Sequence, residues 1–464
     1  MARRSNEIDM CTGPVAGKIL RFSIPVMLSG MLQLLFNAAD VMVIGQNCGS
    51  VSLAAVGSNG AVINLIVNLF LGISIGTNVM VARAVGRQHR DRVFRSVHTA
   101  ILLSLILGLI TGVFGAVTAP RLLHLISVPD DVLPLASLYL RIYFIGIPAT
   151  VVYNFGAAIL RAVGDTKNPL YFLTGAGILN VICNLIFVKV FLLDVAGVAI
   201  ASALSQYLAA TLVVRCLIKQ DGICKLDLRK LHLYREELVE MIRIGVPAGL
   251  QSTIFSVSNV LIQSGLNGFG STVMAGNSAA SNLDALVYVA QNSFYQAAVS
   301  FVSQNVGAGK PERIRHIAVS CYLLVTLVGV AIGTTFYVFG RELLRIFSPE
   351  ADVIEIGMVR LKWVCVPYFL CGLMEVGCGI VRGLGYAWLP MIVSTVGGCV
   401  LRVIWIYTIF QWEHTLDVLY FSYPVSWLAT AAVHFLCVVI LTRRLIRKSR
   451  EQAAPPAPAA PAAT

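Results

Sequence analysis

Twelve apolar stretches of 18 or more residues, separated by short polar breaks, run through the chain. They fall at about 16–44, 52–80, 93–117, 135–158, 168–190 and 195–217, and again at 239–264, 271–300, 316–339, 353–378, 387–410 and 419–441. Each is long enough to cross a hydrocarbon core of about 30 Å. In such a core every backbone polar group must be paired within its own segment, which selects helices. A closed β-barrel would need alternating segments of about ten residues, and none appear. Only 12% of residues are charged, against roughly 25% in a soluble domain, so there is too little charge to cover a water-facing surface. The expected fold is an all-α integral membrane protein of twelve transmembrane helices in two pseudo-symmetric six-helix lobes.

The two lobes are expected because the chain repeats itself at an offset near 221. RFSIPVMLSG around Pro25 returns as RIGVPAGLQS around Pro247, and VARAVGRQHRDRVFR (81–95) as FVSQNVGAGKPERIR (301–315). Further on, Pro148, Arg161, Gly164 and Pro169 meet Pro367, Arg382, Gly385 and Pro390. Six spans per half is an even number, so the halves run parallel, related by an axis along the membrane normal. Residues 1–14 read as a cytoplasmic N-terminal segment, 15–218 as the first lobe and 219–237 as a cytoplasmic linker. Residues 238–442 form the second lobe and 443–464 a basic tail ending in an Ala/Pro extension. The first apolar stretch is too long for a signal-peptide core and has no A-x-A site behind it, so it reads as a retained span. Prolines 25, 148, 247 and 367 fall inside spans, where each removes an intrahelical hydrogen bond and bends the helix.

Twelve spans put both termini on one side. Lys and Arg number 26 in the segments on that side, chiefly the loops at 83–95, 161–167, 215–235 and 310–315 and the basic tail. The opposite side carries four: Arg121, Lys189, Arg341 and Arg345. The positive-inside rule therefore places both termini in the cytoplasm. The same asymmetry accounts for the net charge of +12 without a nucleic-acid partner. The eleven cysteines are scattered, with no C-x-x-C pair, and read as small hydrophobes. No GxxxxGK[ST] loop appears, so ATP is not the evident energy source.

Ionisable residues inside a membrane are expensive, so each is a functional candidate. Asp40 lies 19 residues beyond Arg21, about 28 Å deep at 1.5 Å per residue. Asn180 and Asn184 fall at about 20 and 25 Å, and Ser202, entering from the other face, at about 18 Å. One carboxylate, two amides and a hydroxyl on three spans thus share a layer. Such oxygens suit a hard cation, and a carboxylate held out of water takes up a proton more readily. Glu375 is a second titratable candidate, or is neutralised by Arg402, although their depths differ by roughly 12 Å. Asp284 is a weaker candidate, set against pairing with polar neighbours such as Asn282. His98 and His434 read as structural. Across the repeat Asn37 keeps an amide counterpart in Asn259, whereas Asp40, Asn180 and Asn184 face Ile262, Leu401 and Trp405.

NAADVMVIG, VARAVG, ILRAVGDTKNP, SQNVGAGK and IVRGLGYAWLP, in this order and spacing, make the chain resemble the multidrug and toxic compound extrusion (MATE) family, bacterial branch. The resemblance implies secondary active efflux by alternating access, with cationic amphipathic compounds leaving as Na⁺ or H⁺ enters. It implies a cation site in the first lobe, where Asp40, Asn180, Asn184 and Ser202 lie, and no cofactor or metal beyond Na⁺ at Asp40. It also implies that Asn154 lines the substrate cavity, although an interhelical hydrogen bond is the equal alternative. Asn37, Asn154, Asp284 and Glu375 are the candidates for substrate or secondary coupling. The family commonly shows Asn-x-x-x-Asp in span 5, where this chain has Asn180 and Asn184, which lowers the pocket's formal charge to −1. A Glu that some relatives carry in span 7 is replaced by about Ser256. The expected setting is the bacterial inner membrane, the expected state a monomer, and the expected partners a small molecule and the lipid bilayer. A flippase of lipid-linked precursors is the rival transporter. It would need a more cationic central cavity, whereas the charges noted here favour an acidic first lobe. A membrane-embedded enzyme would need a nucleophile, base or metal constellation that is not found.

Overall fold

The computed structural model describes residues 6–220 and 222–453. Its twelve long helices are α1 (Val15–Asn47), α2 (Ser50–Gly86), α3 (Arg90–Leu125), α4 (Leu133–Ala162), α5 (Lys167–Val190) and α6 (Asp194–Lys219), followed by α7 (Arg235–Asn267), α8 (Ser271–Gly307), α9 (Pro311–Val338), α10 (Ala351–Gly383), α11 (Trp388–Trp412) and α12 (Leu416–Ala453). Ten of them are long and apolar enough to cross a membrane on composition alone. The exceptions, α7 and α8, are the most polar because Gln251, Ser252 and Asn259 on one, and Asp284, Asn292 and Gln296 on the other, line a central cavity. α12 continues unbroken past residue 442, so the expected start of the tail is not a structural boundary. Residues 454–464, where the Ala/Pro extension was expected, lie outside the described residues.

Both described ends reach one face. Lys310 donates to the Cys11 carbonyl at 3.0 Å, and Arg450 pairs with Glu312 at 2.8 Å. We refer to this side as the terminal face. His98 is fully buried and ties α3 to the connection between α6 and α7, accepting from the Asp227 amide at 3.0 Å; His434 is fully buried in α12.

The lobes are not cleanly separate, because α1 and α7 straddle them. Near its start α1 buries Ile19 and Phe22 against Phe294, Phe301 and Cys321 of the second lobe, with Phe22 edge-on to Phe301 at 5.7 Å. Reciprocally, Met241 of α7 joins the first lobe's core, and Ile244 and Ala248 pack with Ile75 and Val79 of α2. The α2–α7 crossing is closest at Gly72 against Gly249 and at Gly76 against Gly245, where a Cβ on either partner would strike the facing helix. Such small residues let helix backbones approach in a membrane.

Polar contacts close the terminal face around this crossing. Ser300 donates to Asn78 at 3.1 Å, Gln304 to the Ala162 carbonyl at 3.0 Å and Arg83 to the Gly383 carbonyl at 3.0 Å, while Arg92 pairs with Glu240 at 2.6 Å. The N-terminal segment lies across both lobes, with Glu7 accepting from Gln220 and the Met10 carbonyl from Asn305, each at 3.0 Å. Beyond Gly72, towards Ser50, α2 becomes largely exposed or half-buried. The interlobe cleft therefore opens away from the terminal face.

Candidate functional site

Two polar sites emerge, one inside the first lobe and one between the lobes. In the first, Asn180 and Asn184 stand one turn apart on α5 and so share a face. Just beyond them the helix widens into a π-helical turn, Ile186–Val190. Asn184 donates to Asp40 Oδ1 at 2.5 Å and to Asn180 Oδ1 at 3.2 Å; Ser202 donates to Asp40 Oδ2 at 3.1 Å and accepts from Asn180 at 3.3 Å. The four residues proposed from depth alone thus form one hydrogen-bonded set. Asn184 is fully buried, and its own Oδ1 has no hydrogen-bond partner. With the carboxylate and the hydroxyl, that oxygen gives the pocket an all-oxygen donor set of the kind hard cations take. Asn37, one turn before Asp40, is exposed and stands outside the set.

The second site is a cavity of about 670 Å³ between the lobes. Its charged lining is Arg161, Arg360, Arg382 and Arg402 against Asp284 and Glu375, a formal excess of two positive charges. Three of the expectations for this region change. Asp284 does not pair with Asn282, which is exposed and donates to the Ser278 carbonyl; buried Asp284 pairs with the largely covered Arg360 at 2.8 Å. Glu375 and Arg402 form no ion pair among the described residues. Arg402 donates from Nε to Ser426 at 2.8 Å and lies over the Tyr423 ring at 4.3 Å. Finally, Arg161 and Arg382 are not loop residues that merely mark the inside of the membrane. Each closes the last turn of its helix and lines the cavity, one from each lobe. Asn154 and its repeat counterpart Glu375 likewise both line it.

The repeat and the sequence family agree. The MatE family model matches twice, over residues 25–186 and 247–408, which together cover most of the chain. The chain belongs to the MatE family. Among its relatives are a probable multidrug resistance protein, YpnP of Bacillus subtilis (strain 168), 29% identical over 394 residues, which are 85% of this chain and 88% of that protein. Another is a FAD transporter of Shewanella oneidensis, 25% identical over 75% of this chain and 77% of the relative. The fold matches the outward-facing structure of a multidrug resistance MATE transporter, with a TM-score of 0.89 at 23% identity over 96% of this chain and all of that one. This MatE chain is therefore a multi-pass membrane transporter and not an enzyme.

Within the MatE frame, sequence reading missed Arg360 as a site residue and considered Arg402 only as a partner for Glu375. One signal was available. Arg141, Arg243, Arg360, Lys362 and Arg402 all fall inside apolar stretches and entered neither side of the charge tally. Locally, two of the four cavity arginines lie beside a π-helical turn: Arg360 precedes Leu361–Cys365 and Arg402 follows Thr395–Val400. Such turns often occur at functional sites.

Proposed function

We propose that this chain is a secondary active exporter in which a cation entering through the Asp40 pocket drives a small molecule out of the central cavity by alternating access. The observation that carries the reading is the closed Asp40–Asn180–Asn184–Ser202 set with its unpartnered Asn184 oxygen, built in one lobe only. A lone carboxylate gives the pocket a formal charge of −1, which supports H⁺, or Na⁺ held weakly. The setting is the bacterial inner membrane with both termini cytoplasmic, so the terminal face is the inner one and the cleft opens outward. The relatives' names reach from multidrug resistance to FAD transport, so family membership does not set the substrate's charge. The cavity's excess of arginine argues against a purely cationic cargo. It also favours the rival flippase reading over the sequence-based expectation, because that reading requires a cationic cavity.

The test is export of norfloxacin, whose carboxylate suits a basic cavity, from cells and from proteoliposomes under an imposed Na⁺ gradient and then an imposed pH gradient. Asp40→Asn should abolish gradient-driven export while membrane expression stays intact. Normal export by that variant would sink the coupling assignment.

A further inference from the structure

We propose that the central cavity binds an aromatic organic anion, its acidic group anchored on Arg402 and its ring system laid against the Tyr423–Trp427 wall. The inference rests on the transport reading above and names the substrate class of the same cavity.

Charge comes first. Arg360 is cancelled by Asp284 at 2.8 Å, and its Nη1 is spent on Asn277 at 2.6 Å. Arg382 has neutral partners, the Tyr295 hydroxyl and Gln251 Oε1, the latter at 2.6 Å. Arg402 also has neutral partners, Ser426 and the faces of Tyr423 and Trp427 at 4.3 and 5.6 Å. Glu375 is then the one carboxylate of the lining left to balance Arg161, Arg382 and Arg402. Guanidinium cannot shed its charge in a protein, and an uncompensated charge away from water is costly. An anionic ligand supplies the missing partner.

Arg161, Arg382 and Arg402 each bury a guanidinium nitrogen without a partner, and Arg402 alone of them also stacks closely on a ring, 4.3 Å from Tyr423. Arg402 is only 2% exposed, and its buried, partnerless nitrogen is Nη2. Stacking on Tyr423 fixes the plane of the guanidinium while Nη2 keeps no hydrogen-bond partner, and the guanidinium edge is the part that forks a carboxylate or phosphate. Beside it stands an aromatic wall. Trp427 lies edge-on to Tyr423 at 5.5 Å and 4.9 Å from Tyr368, and Tyr288 projects from α8, 42% exposed. These rings match a flat aromatic body better than a prenyl chain, which separates this inference from a lipid-linked pyrophosphate cargo.

Two xanthene dyes of opposite charge provide the test: carboxyfluorescein, an anion, and rhodamine 123, a cation, titrated against the full-length protein in nanodiscs. Wild type should bind carboxyfluorescein saturably and more tightly than rhodamine 123. Arg402→Gln should weaken carboxyfluorescein by at least about tenfold, as expected for loss of a charge-assisted hydrogen bond, and leave rhodamine 123 unweakened; Arg402→Lys should recover part of the loss. Tighter binding of rhodamine 123 by wild type, or no binding of either dye, would overturn the proposal, and neither result depends on a variant folding. So would unchanged carboxyfluorescein affinity in Arg402→Gln. Displacement of the dye by farnesyl pyrophosphate at an affinity above the dye's own would overturn the aromatic assignment. Binding needs no gradient, so carboxyfluorescein that binds but is never driven by an ion fails the transport reading alone. Rhodamine 123 driven across without any carboxyfluorescein binding fails this inference alone.

Discussion

Asp40 is gripped by an amide on one oxygen and a hydroxyl on the other, and no second carboxylate stands in the set. Asn184 occupies the position where the family pattern commonly has Asp. Its nitrogen is 2.5 Å from Asp40, so Asn184→Asp would place two carboxylates side by side. Two such groups cannot both ionise unless a cation lies between them, and added ligand charge is what tightens a hard-cation site. The variant should therefore respond to Na⁺ at lower concentration than wild type, with any wild-type Na⁺ response half-saturating at least about tenfold higher. Transport rates measured against Na⁺ at fixed pH decide it; superimposable curves would mean that position 184 does not face the ion. This pocket was legible in the sequence because a helix advances a fixed 1.5 Å per residue, which turns residue numbers into depth. The arginine cavity was not. Arg360 and Asp284 lie 76 positions apart, and only tertiary packing shows that one cancels the other while Arg402 is left without a carboxylate.

At the scale of elements, α1 and α7 each anchor in the lobe they do not belong to by sequence, so any rocking of the lobes must be borne by these two helices and by the α2–α7 crossing. Gly245 is one of the tight points there, since a Cβ would run into the Ile73 backbone. Gly245→Leu should prevent the terminal face from closing. Overpacking of this kind costs about 1–3 kcal/mol, enough to shift the open-to-closed ratio by roughly tenfold. Spin labels at Gln88 and Arg313, introduced as unnatural amino acids to bypass the eleven native cysteines, would report a longer inter-label population. Glu240→Gln, which removes the acceptor charge for Arg92 and Arg83, should move the distribution the same way by less, because partly exposed ion pairs contribute about 0–1 kcal/mol. An unchanged distribution in Gly245→Leu would show that the crossing does not hold the face shut. The twelve elements themselves were readable from hydropathy. The π-helical turns were not, because a single widened turn leaves the apolar pattern intact while re-aiming the residue beside it.

At the scale of the whole molecule the duplicated frame carries opposite polarities: an oxygen-lined pocket with one carboxylate inside the first lobe, and a net-basic cavity between the lobes leaning on the second. A cation and an anion bound at these two places would attract each other weakly through the protein, so simple electrostatics would make them bind together, as in symport. Antiport requires the reverse, and the fold supplies the means. α1 carries Asp40 in the first lobe while its start is packed into the second lobe's core. If the ion favours the conformation in which the cleft is shut, it must weaken substrate binding to the open cleft, and by linkage the substrate must weaken ion binding by the same factor. The expected outcome is that saturating coupling ion lowers the affinity for a bound dye by about 5- to 150-fold, the usual range of allosteric coupling. Asp40→Asn should remove this dependence while leaving the ion-free affinity near that of wild type, because Asp40 does not line the cavity. Equilibrium dye titrations in nanodiscs, with and without ion, give both numbers. An ion that tightens dye binding would turn the reading from antiport to symport, and an ion without effect would uncouple the two sites.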